Sequence, residues 1–324
     1  LRKETPGNAE DRVLAVRDEM DHQVRPIDKW PLFEVRTTQL PGDKVRLHFS
    51  IDLLICDIGS LRMVMKEWAA LYENPEISLP ELELSFRDYV LAERKIKETE
   101  LYATADRFWD KRVTELPPAP SLPLSKNPET IKKPHFKRWS MRIDRKDWHR
   151  LRDRGTRLGI SPSIILLTAF AQVLANWSKS SHFCINTPII NRLPLHPQVE
   201  DIVGEFATFA PVQVDAGRET TFHELAIQIQ ERNWENLENR FLHGTTILRK
   251  LAQHSGEASG AVMPVVFTST IVHEVEGEEE FFRRFGDYVY VISQTPQVWL
   301  DHTVLEDETG LLLSWHAVEG LFPE

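Results

Sequence analysis

The stretch FSIDLLICDIGS, residues 49–60, sets two aspartates, Asp52 and Asp57, inside an otherwise apolar run. A carboxylate taken out of water is costly unless it finds a partner, so each is solvated, paired or used chemically. Residues five apart point to opposite faces of a strand, and a helix separates them by about 140°. They therefore make an awkward pair for one substrate atom. If the strand ends near Ile55, Asp57 falls in the turn before a helix and Asp52 stays within the sheet. One inward carboxylate then needs a cation. Arg192, at the end of the strand-like NTPIINR, is the physical candidate, because its planar fork can hold a carboxylate bidentately.

Working outward, PLFEVRTTQL and KVRLHFSIDLLI read as two strands joined by a turn at Pro41 and Gly42. Residues 9–22 read as a short charged helix. LRMVMKEWAALY has apolar residues at helical spacing, with Ser60 where an N-cap would stand. Residues 85–115 contain no proline or glycine and predict one or two long amphipathic helices. Five prolines between residues 116 and 128 then favour an extended connector, taken as the boundary between domains 1–128 and 129–324. Beyond it, FKRWSMRI predicts a strand, RKDWHRLRDRGTRLG a helix and SPSIILLTAFAQVLANW a largely buried helix. HFCINTPIINR and TFAPVQV read as strands, 222–242 as a helix, and VMPVVFTSTI, YVYVISQTPQVWLDHTV and GLLLSWHAV as three β-type runs. This mixture predicts an α/β protein of two sandwich lobes.

At 324 residues and 41% apolar content the chain can bury two cores. Its two cysteines, Cys56 and Cys184, lie in apolar runs, which suits buried thiols in a reducing compartment, and no cysteine spacing suits a metal. A net charge of −10 argues against a nucleic-acid surface. The cluster Lys132, Lys133, Lys137 and Arg138 reads as a solvated face. No stretch is apolar and long enough to span a bilayer and residues 1–30 carry charges throughout, so a cytoplasmic protein is the expectation. The abrupt beginning and the end at GLFPE read as a piece of a longer chain.

Set out in this way, the chain resembles the heterocyclization domains of nonribosomal peptide synthetases, a branch of the condensation-domain superfamily. Those domains carry D-x-x-x-x-D-x-x-S where ordinary condensation domains carry H-H-x-x-x-D-G, and Asp52, Asp57 and Ser60 match it in full. LPPAPSLPL at 116–124, LANW at 174–177, PVVFTS at 264–269 and SQTPQVWLD at 293–301 match further family motifs, in order. Two positions depart. The family's G-D/N-F-T reads Gly204, Glu205, Phe206, Ala207, and its W-D reads Trp315, His316, both expected to lie away from the reacting groups and to affect substrate fit or carrier docking.

The resemblance implies two chloramphenicol-acetyltransferase-like lobes in a V-shaped pseudo-dimer, the N-terminal one truncated and the last helix of the C-terminal one missing. It implies condensation of an upstream acyl thioester with a carrier-bound cysteine, serine or threonine, then cyclodehydration to a thiazoline or oxazoline. Asp301 would carry the proton transfers and Thr268 would orient it. Gln294 and Gln297 would line the tunnel. Asp52, Asp57, Ser60 and Arg192 would be structural, with Leu53 replacing the reactive histidine. The domain itself would bind no cofactor or metal, its substrates arriving on phosphopantetheine arms of upstream and downstream carrier domains beside an adenylation domain. No nucleic acid or membrane partner is implied. An amide-forming condensation domain and a non-catalytic docking platform remain as alternatives. His48 and His302 are expected to be packed histidines rather than catalysts.

Overall fold

The computed structural model describes residues 9–256, 261–271, 286 and 289–323. Helix α1 (Ala9–Asp21) precedes an antiparallel hairpin of β1 (Phe33–Gln39) and β2 (Val45–Ile51), in which Phe33 faces Ile51 and Gln39 faces Val45. Gly42 and Asp43 turn the hairpin with φ of 71° and 54°, and Leu40 N–H donates to Lys44 O at 2.8 Å to close it. The strand stops at Ile51, four residues earlier than expected. Asp52 therefore lies outside the sheet, where its Oδ1 accepts from Leu54 N at 3.0 Å, a local side-chain bond that competes with continued pleating.

Helix α2 (Ile58–Glu73) begins at Asp57 rather than at Ser60. Asp57 has an extended backbone and accepts from Ser60 N, whereas Ser60 sits buried inside the first turn. The proline-free segment forms two helices, α3 (Phe86–Ile96) and α4 (Glu100–Arg112), because Thr99 starts a fresh N-cap. A capping box of Ser85 and Asp88 opens α3.

The following strands and helices are β3 (Phe136–Asp144), α5 (Arg145–Arg157), α6 (Pro162–Trp177), β4 (His182–Ile190), β5 (Ala207–Asp215), α7 (Phe222–Glu238), α8 (Gly244–Ser255), β6 (Val265–Ser269), β7 (Leu300–Asp307) and β8 (Gly310–Val318). They build a mixed six-stranded sheet in the order β3-β8-β7-β6-β4-β5, with β4, β6 and β7 parallel and the other pairs antiparallel. The fold is α/β. Helix α8 was not anticipated, and of the run 288–304 only β7 is a strand; residues 289–299 have no regular structure, and Tyr288 lies outside the described residues.

One face of this sheet takes the apolar helix α6. Ile164, Leu167, Phe170, Ala171 and Leu174 pack with Phe183, Ile185, Val212, Phe267, Leu300, Val304 and Leu311. Each fully buried Leu, Ile, Val or Phe among them contributes about 1.5–3 kcal/mol relative to exposure. The opposite face receives α4, where Ala105, Trp109 and Val113 meet Cys184, Ala210, Leu242 and Ile247. Both cysteines are buried and free, and burial pushes their thiols up to about 12. The proline segment is pinned along the same unit, with Cys184 N donating to Pro118 O at 2.9 Å and Ser125 N to Leu321 O at 2.8 Å.

Candidate active site

Two constellations emerge, one built on the opening motif and one on the sheet. In the first, Asp57 Oδ1 accepts from Ser60 N at 2.6 Å and its Oδ2 from Phe206 N at 3.1 Å. Ser60 Oγ donates to Gly204 O at 2.8 Å and accepts from Gly204 N at 3.0 Å. Arg192 lies 3.7 Å from Asp57 and donates to Ser60 Oγ at 2.8 Å, to Val199 O at 2.6 Å and to Ile202 O at 2.9 Å, with its guanidinium 3.9 Å over the Phe206 ring. The expected pairing therefore exists, but not as a bidentate fork. The carboxylate is occupied by backbone N–H groups, and the fork is spent on carbonyls. Asp52 takes no part.

This assembly ties the start of α2 to the segment preceding β5. Gly204 permits it, because a Cβ there would fall 2.1 Å from the Phe86 ring. Its polar side chains are directed at one another and at the backbone.

The second constellation follows from strand register. Asp301 on β7 pairs with Val266 of β6 on one side and His316 of β8 on the other. His316 in turn pairs with Arg138 of β3, and Val266 with Asn186 of β4. Paired residues share a face, so Arg138, His316, Asp301, Val266 and Asn186 form one row across the face opposite the α6 core. The neighbouring row holds Ser314, Thr303 and Thr268.

Asp301 is buried, and Thr268 Oγ1 donates to its Oδ1 at 2.9 Å while Thr303 Oγ1 reaches Oδ2 at 3.4 Å. Desolvation outweighs these two hydroxyls and pushes its carboxyl up to about 6. A carboxyl tuned toward neutrality can both accept and return a proton.

His316 is a residue that sequence reading placed away from the chemistry, and the register corrects that. It is buried beside Asp301, with Nδ1 accepting from Ser293 N at 3.4 Å. Arg138 is likewise not on a solvated face. Strand alternation turns it toward this row, half-buried, where it donates to Ser314 Oγ at 3.1 and 3.2 Å. Lys132, Lys133 and Lys137 are exposed as expected. The β7–β8 register leads from Asp301 to His316, and the β3–β8 register is needed in addition to reach Arg138.

Among the tunnel expectations, Gln294 donates to Asp21 O at 2.5 Å, beside Tyr290, whose hydroxyl donates to Asp21 Oδ2 at 2.7 Å. Gln297 is exposed in a turn at φ 64°. Among the described residues, neither is hydrogen-bonded to the Asp301 row. His302 lies behind the sheet against Phe170 and Phe267, bonded to Ser314 O at 3.1 Å, and His48 is bonded to Thr38 at 3.0 Å; burial lowers the pKa of both. Both are packed histidines. Glu205 bonds Ala207 N at 2.7 Å, and burial raises its carboxyl to about 7. Among the described residues no cluster suits a metal ion. No single described helix is long and apolar enough to cross a membrane.

The site thus centres on a buried, threonine-bonded carboxyl set on a mixed α/β sheet. The family model that matches, the condensation domain, spans residues 8–322, and the chain belongs to the condensation-domain family. Bacitracin synthase 1 from Bacillus licheniformis is 35% identical over 312 residues, covering 96% of this chain and 6% of that protein. Phenyloxazoline synthase MbtB from Mycobacterium tuberculosis is 34% identical over 330 residues, covering 99% of this chain and 22% of that one. The cyclization-docking bidomain of the EpoB nonribosomal peptide synthetase from Sorangium cellulosum matches with a TM-score of 0.90 at 37% identity, over 100% of this chain and 65% of that chain. The chain thus spans a small part of those synthases and somewhat under two thirds of that bidomain.

Proposed function

We propose that this chain performs heterocyclization in a nonribosomal peptide synthetase. It would join an upstream acyl or peptidyl thioester to a carrier-bound cysteine, serine or threonine, then close and dehydrate a thiazoline or oxazoline ring. The observation that carries this reading is Asp301, buried and bonded to Thr268 in a chain that also carries the complete D-x-x-x-x-D-x-x-S signature. With Leu53 exposed and apolar where a reactive histidine would stand, amide formation rests on holding the two thioesters together.

In ring formation the side-chain thiol or hydroxyl attacks the new amide carbonyl and gives its proton to the Asp301 carboxylate. Asp301 returns that proton to the carbonyl oxygen. It then takes the ring nitrogen's proton as the C=N bond forms and the C–O bond breaks, and gives it to the departing hydroxide as water. A pKa of about 6 leaves the base form dominant near neutrality with little penalty for re-protonation.

The substrates would arrive on phosphopantetheine arms of upstream and downstream carrier domains, with an adenylation domain selecting the amino acid, and the domain would need no cofactor of its own in a cytoplasmic setting. The segment 116–128 would divide the two lobes by chain, with α3 and α4 crossing to pack on the C-terminal one. The test loads both carriers of the full-length protein and weighs the downstream product. A product lighter by one water than the linear amide is expected. Linear amide alone would leave a plain condensation domain, and no transfer a docking platform.

A further inference from the structure

Ring closure puts negative charge on one substrate oxygen twice, as the carbonyl is attacked and as the hydroxide departs. Asp301 handles the protons, and the Thr268 hydroxyl is directed at Asp301, so neither supplies a standing donor for that oxygen. Resting on the ring-forming reading above, we propose that His316 is that donor, holding the oxygen through Nε2–H.

The register sets His316 directly across from Asp301 on the same face, at a Cβ separation of about 4.5–5.5 Å for such pairs. The Ser293 N–H points at Nδ1, so the neutral ring carries its proton on Nε2. No described residue is hydrogen-bonded to Nε2. The ring's surroundings keep it neutral: burial first, then Arg138 of β3 beside it and His302 of β7 behind the sheet, which together lower its pKa to about 4. Asp301 faces it from β7, and Tyr290 and Asp21 lie beyond Arg138. A neutral, fixed imidazole N–H gives a hydrogen bond without surrendering its proton, so His316 ends the cycle as it began. Such preorganised donors act where charge develops rather than on the resting amide.

The experiment compares His316→Asn and His316→Gln with the parent, in the full-length protein, by single-turnover mass spectrometry of the downstream carrier. The Asn amide can still accept from Ser293 N but has no donor at the Nε2 position, whereas the Gln amide places one there. Ring closure is expected to fall roughly 10²-fold in His316→Asn while linear amide accumulates, and to return to within about tenfold of the parent in His316→Gln. Parental ring closure in His316→Asn, equal deficiency in both variants, or amide formation and ring closure falling together would each overturn the assignment. Should His316→Asn fail to fold, His316→Gln decides through its pH profile, which must keep the parent's shape above pH ~5 because a neutral donor does not titrate there. A parent that makes only linear amide would instead refute the ring-forming reading itself.

Discussion

Asp57 and Asp301 are both buried aspartates, yet their surroundings give them opposite characters. Asp57 receives two backbone N–H bonds and lies 3.7 Å from Arg192; Asp301 has two threonine hydroxyls as its only bonded partners among the described residues. The folded pKa of Asp301, about 6, lies above the ordinary value of about 3.9. Its favourable contribution is fully present below about pH 4 and is lost as pH rises to about 6. Asp301→Asn should therefore stabilise the protein little at pH 4 and by about 3 kcal/mol at pH 8, a divergence that thermal melts at the two pH values would reveal. Equal melting shifts at both would contradict it. Asp57→Ala removes the cap of α2, worth about 1 kcal/mol, and strands the buried Phe206 N–H, worth about 1–3 kcal/mol more. A loss of about 3 kcal/mol in urea denaturation is expected, with Arg192 adding to it.

At the scale of elements, α8 shows where packing overrules propensity. Gly244 stands at its first position, a place in a helix where glycine carries no side chain to pack. A Cβ there would lie 2.3 Å from Phe209 O on β5, a backbone atom with no rotamer to escape into. Gly244→Ala should thus destabilise by roughly 1–3 kcal/mol instead of stabilising, a sign that a melting curve settles. The elements whose apolar period is strong, such as α6 and β4, were legible in the sequence to within a residue or two. Those set by a single side chain were not: Asp52 ends β2 early by bonding Leu54 N, and Asp57 takes the cap that spacing assigned to Ser60. The 289–299 segment reads as β by composition, but Tyr290 and Gln294 bond α1 and Ser293 bonds His316, and among the described residues only Trp299 at its end joins the backbones of the neighbouring strands.

Across the whole molecule, the signature motif and the Asp301 row are separate devices. The motif fastens α2 to the segment before β5, through Ser60 and Gly204 across 144 residues. The row at Arg138, His316, Asp301 and Asn186 draws on four strands, two of them with neighbours far apart in sequence. That explains what was readable. The Thr268–Asp301 contact could be anticipated because both residues lie inside contiguous motifs, whereas His316 and Arg138 become neighbours only through register, which no single segment encodes. Asn186, whose Oδ1 is buried without a partner among the described residues at the far end of the row, carried no sequence signal at all. The central claim is that Asp301 carries the protons of ring closure. Its most direct test is mass spectrometry of the downstream carrier in Asp301→Asn. The account predicts the linear amide at near-parental yield with ring product reduced by roughly 10²-fold or more; dehydrated ring at the parental rate would contradict it.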